Sequence, residues 1–466
     1  MKTVVELNKV TFGYPHDENQ ALHDFDLSIA PGEAIYCAGL SGGGKTTLLR
    51  LLNGLAWEHY GGRLTGSVSI NGANPMNKSL KTLAREVSTL FQNPDNQFFA
   101  LTPRDDFLLT LECRGLGQAE ACRQLEFWAE KFKLGDILDR RVDRLSSGEK
   151  QKVILAETLA LSPSLLLLDE PTANLDPAAA RELAGNLRQA RAEGLAMLIV
   201  DHRRHWLGPW VDRALILDQG RLVWEGRFER LDDPALSEKW GLRRPGKRPG
   251  DPPPAGRDHD PPGEEIEVRN LSFAYPRGPA LFNDFSCFLP TGSVSALVGP
   301  NGSGKTSLLR LVSGLSAPES GEIIFQNQPL KSSARLSLSS LAMQNADRQL
   351  VMKSVAAELG EAWPRGRRNR DKISAELESW GLGHLASRHP QSLSGGEKQK
   401  LVLACALARD SRFLALDEPT SGLDGRNMAL VAEAVKKAAA ASRALLLATH
   451  DQELIEQAAD KTISLL

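Results

Sequence analysis

The sequence predicts an α/β protein built from two copies of one domain, and three observations predict it. The chain has 466 residues, too many for one ordinary hydrophobic core. A set of motifs recurs in the same order in both halves, and short apolar runs alternate with helical patterns around those motifs. Composition fits a folded globular chain, 41% hydrophobic and 24% charged, with 40 glycines for turns and close backbone approaches. A net charge of −2 lacks the basic footprint of a protein whose main partner is nucleic acid. The five cysteines, Cys37, Cys113, Cys122, Cys287 and Cys405, show no C-x-x-C spacing, so no disulfide framework, zinc site or iron–sulfur site is expected, and a reducing compartment fits. No stretch approaches the roughly 18 apolar residues that span a bilayer, and the opening MKTVVELNKV lacks an export signal's apolar core.

The repeat is the first element to justify. GLSGGGKTT at 39–47 returns as GPNGSGKTS at 299–307, LSSGEKQK at 145–152 as LSGGEKQK at 393–400, and LLLLDEPTANLD at 165–176 as FLALDEPTSGLD at 413–424. From the second motif onward the offset is constant, since Glu149 and Glu397, Asp169 and Asp417, and His202 and His450 all differ by 248. Lys45 and Lys305 differ by 260, so the first copy is expected to carry extra residues, in loops, upstream of its second motif. This predicts one domain over 1–240, another over 264–466, and a linker over 241–263, where proline, glycine and charge are dense and no periodicity survives. Arg243, Arg244, Lys247 and Arg248 read as solvated linker charges.

Apolar runs at 34–38, 165–168 and 197–200 read as buried strands, and 149–161 reads as a helix, which gives a sheet with functional loops at its strand ends. The pattern G-x-x-x-x-G-K-[ST] occupies 39–46 and 299–306, each time after an apolar run and before a helical one. Gly39, Gly42, Gly43 and Gly44, like Gly299, Gly302 and Gly304, let backbone N–H groups converge on a phosphate, with Ser41, Asn301 and Ser303 completing the loops. The helix start adds its dipole, and Lys45 or Lys305 a mobile cation. Thr46 and Thr306 can ligate Mg²⁺, and Thr47 and Ser307 follow them in the phosphate-binding turn. Asp169 and Asp417 end apolar runs and are expected to hold Mg²⁺, while Glu170 and Glu418 beside them orient or activate an attacking water. His202 and His450 end the next strand, where an imidazole can contact a γ-phosphate.

With LSSGE and LSGGE added, both halves resemble ABC ATPase domains over nearly the whole chain apart from the linker. The resemblance implies a P-loop NTPase fold in each, a mixed-sheet α/β core with a helical signature subdomain, acting on ATP with Mg²⁺. It further implies that the halves pack head to tail, so that Lys45 works with Ser394, Gly395 and Gly396, and Lys305 with Ser146, Ser147 and Gly148. By the same resemblance Tyr14 and Tyr275 stack on adenine, Gln92 and Gln344 approach Mg²⁺ and feel a membrane partner, and Asp176 and Asp424 lie in the loop that crosses the dimer interface. Three departures predict unequal sites: Ser147 replaces a signature glycine, Asn174 stands where the second half has Gly422, and Arg203 where it has Asp451. Both sites are expected to bind and hydrolyse ATP, the LSSGE-bearing one more weakly.

FQNPDNQFF at 91–99 resembles the Gln loop of the ATPase subunits of energy-coupling factor (ECF) importers, which take up vitamins and transition-metal ions. MQNADRQL at 343–350 matches more loosely, with Ala346 and Arg348 as replacements, and VDHRRHW at 200–206 resembles the same group. This implies a peripheral protein on the cytoplasmic face of the membrane, partnered by a transmembrane scaffold subunit and a substrate-binding membrane subunit, without direct nucleic acid. Two readings compete. A tandem monosaccharide-importer ATPase usually has a different Gln loop and one damaged site. A soluble ABC-F ribosome-associated ATPase needs a long helical linker, which the prolines of 241–263 forbid. Arg365, Arg367, Arg368 and Arg370 read as a solvated loop.

Overall fold

The computed structural model describes residues 3–15, 19–244, 265–276, 278–364 and 369–465. Two compact units emerge, Met1–Pro249 and Gly250–Leu466. Most of the expected linker, with Lys247 and Arg248, lies outside the described residues, as do Arg365, Arg367 and Arg368.

In the first unit, strands β1 (Val5–Gly13), β2 (Gln20–Ile29) and β4 (Arg63–Ile70) form an antiparallel sheet in the order β2-β1-β4. The core sheet runs β5-β6-β7-β3-β8-β9, with β3 at Ala34–Gly39, β5 at Val87–Leu90, β6 at Leu165–Asp169, β7 at Ala196–Val200, β8 at Arg213–Asp218 and β9 at Arg221–Arg227. All its pairings are parallel except the β8–β9 hairpin. That hairpin turns on Gln219 and Gly220, both at positive φ (47° and 75°), the geometry a two-residue turn needs to match strand twist.

The apolar runs are uninterrupted because both sheet faces are covered. Alternate residues of one strand serve different cores: Ala34, Tyr36 and Ala38 face the helical layer with Phe107 and Leu187, while Ile35 and Cys37 face Phe12, Phe25 and Leu48 on the other side. Leu166 and Leu168 go to the first core, Leu165 and Leu167 to the second. Truncating any of these buried leucines to Ala costs about 2–5 kcal/mol, which holds the strand ends, and hence the loops, in register.

The second unit repeats this with β10 (Glu265–Ala274), β11 (Ala280–Pro290), β13 (Ser320–Phe325) and β14 (Gln328–Pro329) in an antiparallel sheet ordered β11-β10-β13-β14. Its core sheet, β15-β16-β17-β12-β18, uses β12 (Val294–Val298), β15 (Ser339–Ala342), β16 (Phe413–Asp417), β17 (Ala444–Ala448) and β18 (Lys461–Ser464). Among the described residues this core sheet is wholly parallel.

Two expectations are corrected. The extra residues of the first copy are not confined to loops. Gln92 and Gln344 differ by 252, so eight of the twelve extra residues precede the Gln loop, where the first unit has a helical turn at Leu55–Glu58. The other four fall between Gln loop and signature, where helices Pro103–Cys113 and Gln118–Lys131 are longer than Val355–Ala362 and Arg370–Ser379. Arg243 is not a solvated linker charge: it is 4% exposed. After helix Pro234–Trp240 ends on a left-handed Gly241, the Leu242 N–H bonds back to Ser237 and the chain returns to the core.

Candidate functional site

In each unit the functional residues gather at the carboxyl ends of three adjacent strands. β3 and β12 lead into the glycine loops, and the helices that follow, Lys45–Leu52 and Lys305–Ser313, start from left-handed glycines, Gly44 (φ 98°) and Gly304 (φ 95°). Gly39 and Gly299 admit no side chain, because a Cβ would sit 2.1 Å from the Leu217 carbonyl oxygen or 2.5 Å from that of Leu465. Gly42 and Gly302 have positive φ and open space around them, so the loop tips are bare backbone facing outward. This is the cradle a phosphate chain requires. Lys45 and Lys305 are buried stems whose Nζ atoms donate to the Gly39 and Leu40 carbonyls (2.8 Å each) and to those of Gly299 and Pro300 (2.7 and 3.0 Å). The Ser303 hydroxyl is turned into the loop beside Gly299 and has no hydrogen-bond partner.

The acidic pairs stand at the ends of β6 and β16. Thr306 donates to Asp417 at 2.7 Å, which brings together two oxygens expected at a cation. Thr46 and Asp169 occupy the same places on the first unit's helix start and strand end. Burial, with Glu170 adjacent, pushes Asp169 up to about 7 against the opposing pull of Lys45 and Arg50; burial likewise raises Asp417, opposed by Thr306, Lys305 and Arg310. Such oxygens suit a hard divalent cation, which would restore their charged form. Among the described residues no cluster of three or more His, Cys, Asp or Glu could hold a metal by itself. Mg²⁺ therefore fits here only as Mg²⁺ usually binds, on few protein oxygens with substrate phosphates completing the shell.

Glu170 and Glu418 both adopt the left-handed region, φ 47° and 46°, which a non-glycine residue enters at a cost of order 1–3 kcal/mol. Their N–H groups bond the Val200 and Ala448 carbonyls at the neighbouring strand ends (2.7 and 2.8 Å), so the strain is held by the sheet. The carboxylates are engaged differently. Glu170 accepts from Gln92 Nε2 (2.9 Å) and lies 3.3 Å from His202 Nε2. Burial pushes its carboxyl up, but His202, Lys45 and Arg203 outweigh this and hold it below the ordinary value. Glu418 accepts from the Thr449 hydroxyl and the His450 N–H, both at 3.1 Å, and the His450 ring contacts Lys305 (3.0 Å) and Asn301 (3.1 Å) while its Nε2 stays 4.0 Å from Glu418.

Two of the sequence departures are resolved by contacts. Thr172 and Thr420 are equivalent, and each donates to a buried carboxylate: Asp201, one residue before its histidine, at 2.6 Å, and Asp451, one residue after, at 2.5 Å. The first unit supplies the same charge from the other side, which is why Arg203 can replace an aspartate. Ser147 and Asn174 meet, the serine hydroxyl donating to the Asn174 carbonyl at 3.0 Å. A Cβ at Gly395, the equivalent of Ser147, would meet nothing, so serine fits without strain.

The signature turns are helix starts. Ser146 and Ser394 cap helices Ser147–Ala160 and Gly395–Ala408 in full capping boxes with Glu149 and Glu397, leaving Gly148 and Gly396 in the first turn. Asp176 and Asp424 serve within their own units as N-caps of helices Pro177–Ala192 and Gly425–Ala440. Tyr14 and Tyr275 bond the hydroxyls of Thr47 and Ser307, each at 3.2 Å, which places the rings beside the glycine loops. Tyr14 also meets Tyr60 edge-on, 5.7 Å between centroids, with Arg50 stacked over Tyr60.

Gln97 and Gln349 belong to this site and sequence reasoning missed them. Gln97 Oε1 accepts the Phe91 N–H (2.9 Å) and its Nε2 donates to the Thr89 carbonyl (3.1 Å). Gln349 does the same with Met343 (2.7 Å) and Leu341 (3.0 Å). These paired bonds clasp the base of each loop carrying Gln92 or Gln344. The available signal was the recurrence of a second glutamine five residues after the first in both copies.

A glycine loop opening a helix beside an acidic strand end, present twice in one chain, defines a tandem P-loop nucleoside triphosphatase. The chain belongs to the ABC transporter family of ATP-binding proteins, ATP hydrolases whose family model, ABC transporter, matches residues 22–173 and 282–421. Among its relatives, "Putative HMP/thiamine import ATP-binding protein YkoD" of Bacillus subtilis is 33% identical, over 99% of this chain and 90% of that protein. A "Putative ABC transporter ATP-binding protein" of Treponema denticola is 31% identical over 99% and 95%. Among solved structures, archaeal ABCE1 in a ribosome-bound model with Pelota superposes with a TM-score of 0.71 over 98% of this chain and 76% of that one, at 21% identity. An RNase-L inhibitor structure gives 0.66, at 20% identity over 98% and 87%. At such identities the likeness is one of fold.

Proposed function

We propose that this chain is the ATP-hydrolysing motor of an ECF-type importer, bound peripherally at the cytoplasmic face of the membrane to a transmembrane scaffold and a substrate-binding membrane subunit. The supporting observation is the surface beside the Gln loop. Phe99 (84% exposed), Leu101 and Phe91 stand in water next to Gln92, which itself holds Glu170, and Val351 (75%) repeats the arrangement in the second unit. Apolar side chains exposed beside the residue that touches the water-activating carboxylate suit a partner that must feel hydrolysis. Among the described residues no helix is long and apolar enough to cross a membrane, so a transport role needs separate membrane subunits. The Bacillus relative's printed role, HMP/thiamine import, favours a vitamin-sized organic cargo over a metal ion.

In this reading the two P-loops and two signature turns form composite sites by head-to-tail pairing of the halves. Lys45 or Lys305 and the loop glycines take the phosphates, Thr46 with Asp169 and Thr306 with Asp417 hold Mg²⁺, and Gln92 and Gln344 approach it. Tyr14 and Tyr275 take the base, Glu170 and Glu418 orient the water, and His202 and His450 reach the γ-phosphate. Bound Mg²⁺ would supply charge neutralisation at the phosphates. Affinity purification from detergent-solubilised membranes tests the assignment. A transmembrane scaffold with a small substrate-binding membrane protein should co-elute, and Phe99→Asp with Leu101→Asp should abolish co-elution while leaving the purified ATPase folded. Recovery with ribosomes instead would overturn it.

A further inference from the structure

Each Gln loop is tied at its tip as well as its base, by the same ion pair in both units. Asp95 accepts from Lys150 Nζ at 2.5 Å, and Asp347 from Lys398 Nζ at 2.6 Å. The aspartates sit in one-turn helices, Pro94–Asn96 and Ala346–Arg348, while the lysines lie in the first turn and a half of the signature helices, four residues after Ser146 and Ser394. A cation near a helix N-terminus opposes the helix dipole, so its recurrence there calls for a compensating partner. The lysine side chains are only 13% and 15% exposed, although the aspartates, at 60% and 61%, face water. The ammonium groups are thus drawn under the loop rather than left in solvent.

We propose that Asp95–Lys150 and Asp347–Lys398 are positioning struts that hold each signature turn at a set distance from the Gln loop, so that displacement of the loop moves the turn. Gln97 and Gln349 clasp the loop base, so a push on the loop is carried rather than absorbed. The second strut is braced. Gln391 accepts from Lys398 at 3.3 Å and donates to the Asp347 and Leu350 carbonyls at 3.4 Å each, whereas Asp143 at the equivalent place is paired with Arg141. Lys150 therefore depends on Asp95 more than Lys398 depends on Asp347.

The inference rests on the signature turn taking part in hydrolysis, as proposed above, and the experiment separates the two. Steady-state ATPase kinetics and melting temperature are measured on the full chain carrying Asp95→Asn, Lys150→Ala, Asp347→Asn, the exchange Asp95→Lys with Lys150→Asp, and Ser394→Ala. The exchange places an acid at the helix start, where the dipole favours it. Asp95→Asn should lower kcat about two- to fivefold, the range a single part-exposed ion pair supports, with KM and melting temperature held, and Asp347→Asn should lower it less. The exchange should restore kcat to within about a factor of two, the coupling expected of a direct pair. Unchanged kcat in Asp95→Asn and Lys150→Ala, or an exchange no better than the product of the single losses, overturns the strut even where Ser394→Ala reduces turnover. Unchanged turnover in Ser394→Ala overturns both the strut and the role of the signature turn.

Discussion

Glu157 offers the sharpest test of the physical reading, because nothing compensates its burial. It lies on the inner face of the signature helix Ser147–Ala160, is 6% exposed, and its Oε1 has no hydrogen-bond partner. Beside it Asp106, 1% exposed, accepts the Phe99 and Ala100 N–H groups at 2.7 Å each and so shapes the loop that displays Phe99. Two buried carboxyls cannot both ionise cheaply: burial raises Asp106 too, against the opposing pull of its two N–H donors, which Glu157 lacks. Burial, with Asp106 adding repulsion, pushes Glu157 well above its usual 4.5. The native state then binds a proton that the unfolded chain releases. The associated stability is full below about pH 4.5 and is lost as pH rises from there through the raised native value, by at most about 1.4 kcal/mol per pH unit. Glu157→Gln keeps the shape and removes the titration. Calorimetry between about pH 5 and pH 8 should show the variant gaining on wild type as pH rises, each kcal/mol appearing as about 2–4 °C in the first unit's transition. Parallel curves, or a variant less stable at neutral pH, would refute the assignment. The second unit dispenses with this buried acid. Cys405 stands at the equivalent position, and Glu358, in Asp106's place, accepts the Val351 and Met352 N–H groups.

Other outcomes follow from the site geometry. Glu170→Gln and Glu418→Gln, made separately, should each reduce turnover of purified protein, with single-turnover assays separating the two contributions; full activity in either variant would show that its site does not hydrolyse. Chelating Mg²⁺ with EDTA should abolish turnover within about 1 °C of the unchanged melting temperature, since the cation's ligands here are too few to staple the fold; a large fall in melting temperature would reveal a structural metal instead. Tyr14→Ala should raise KM for ATP about tenfold or less, consistent with loss of one aromatic contact worth about 0.5–1.5 kcal/mol, with kcat nearly held; a pure kcat effect would place Tyr14 in support of Thr47 instead of at the base.

What was legible in the sequence was whatever depends on local pattern. The strands at 34–39, 165–169 and 196–200 announced themselves because burial on both faces demands uninterrupted apolar residues. The glycine loops were legible because the close approaches at Gly39 (2.1 Å) and Gly299 (2.5 Å) leave no room for a side chain and Gly42, Gly44, Gly302 and Gly304 take positive φ, which disfavours most residues. Less visible were features made by residues far apart in the chain. Gln97 reads as one polar residue among several until the loop folds it back onto Thr89 and Phe91. Asp95 and Lys150, 55 residues apart, carry no sequence sign of their pairing beyond its recurrence. Arg203 looked like a lost aspartate until the fold showed Asp201 reaching Thr172 from the other side of the histidine.

The sequence by itself therefore determined the duplication, the strand and loop chemistry, and the residues expected at phosphate and cation, because these follow from backbone sterics and hydrophobic period, which act over a few residues. Only the tertiary structure decided how those residues are held: the strained φ of Glu170 and Glu418 secured by neighbouring strands, the unequal partners of His202 and His450, and the burial of Glu157 without a partner. Such features depend on packing between segments remote in sequence, where the low dielectric of the interior and the supply of nearby donors, rather than residue type, set charge and geometry.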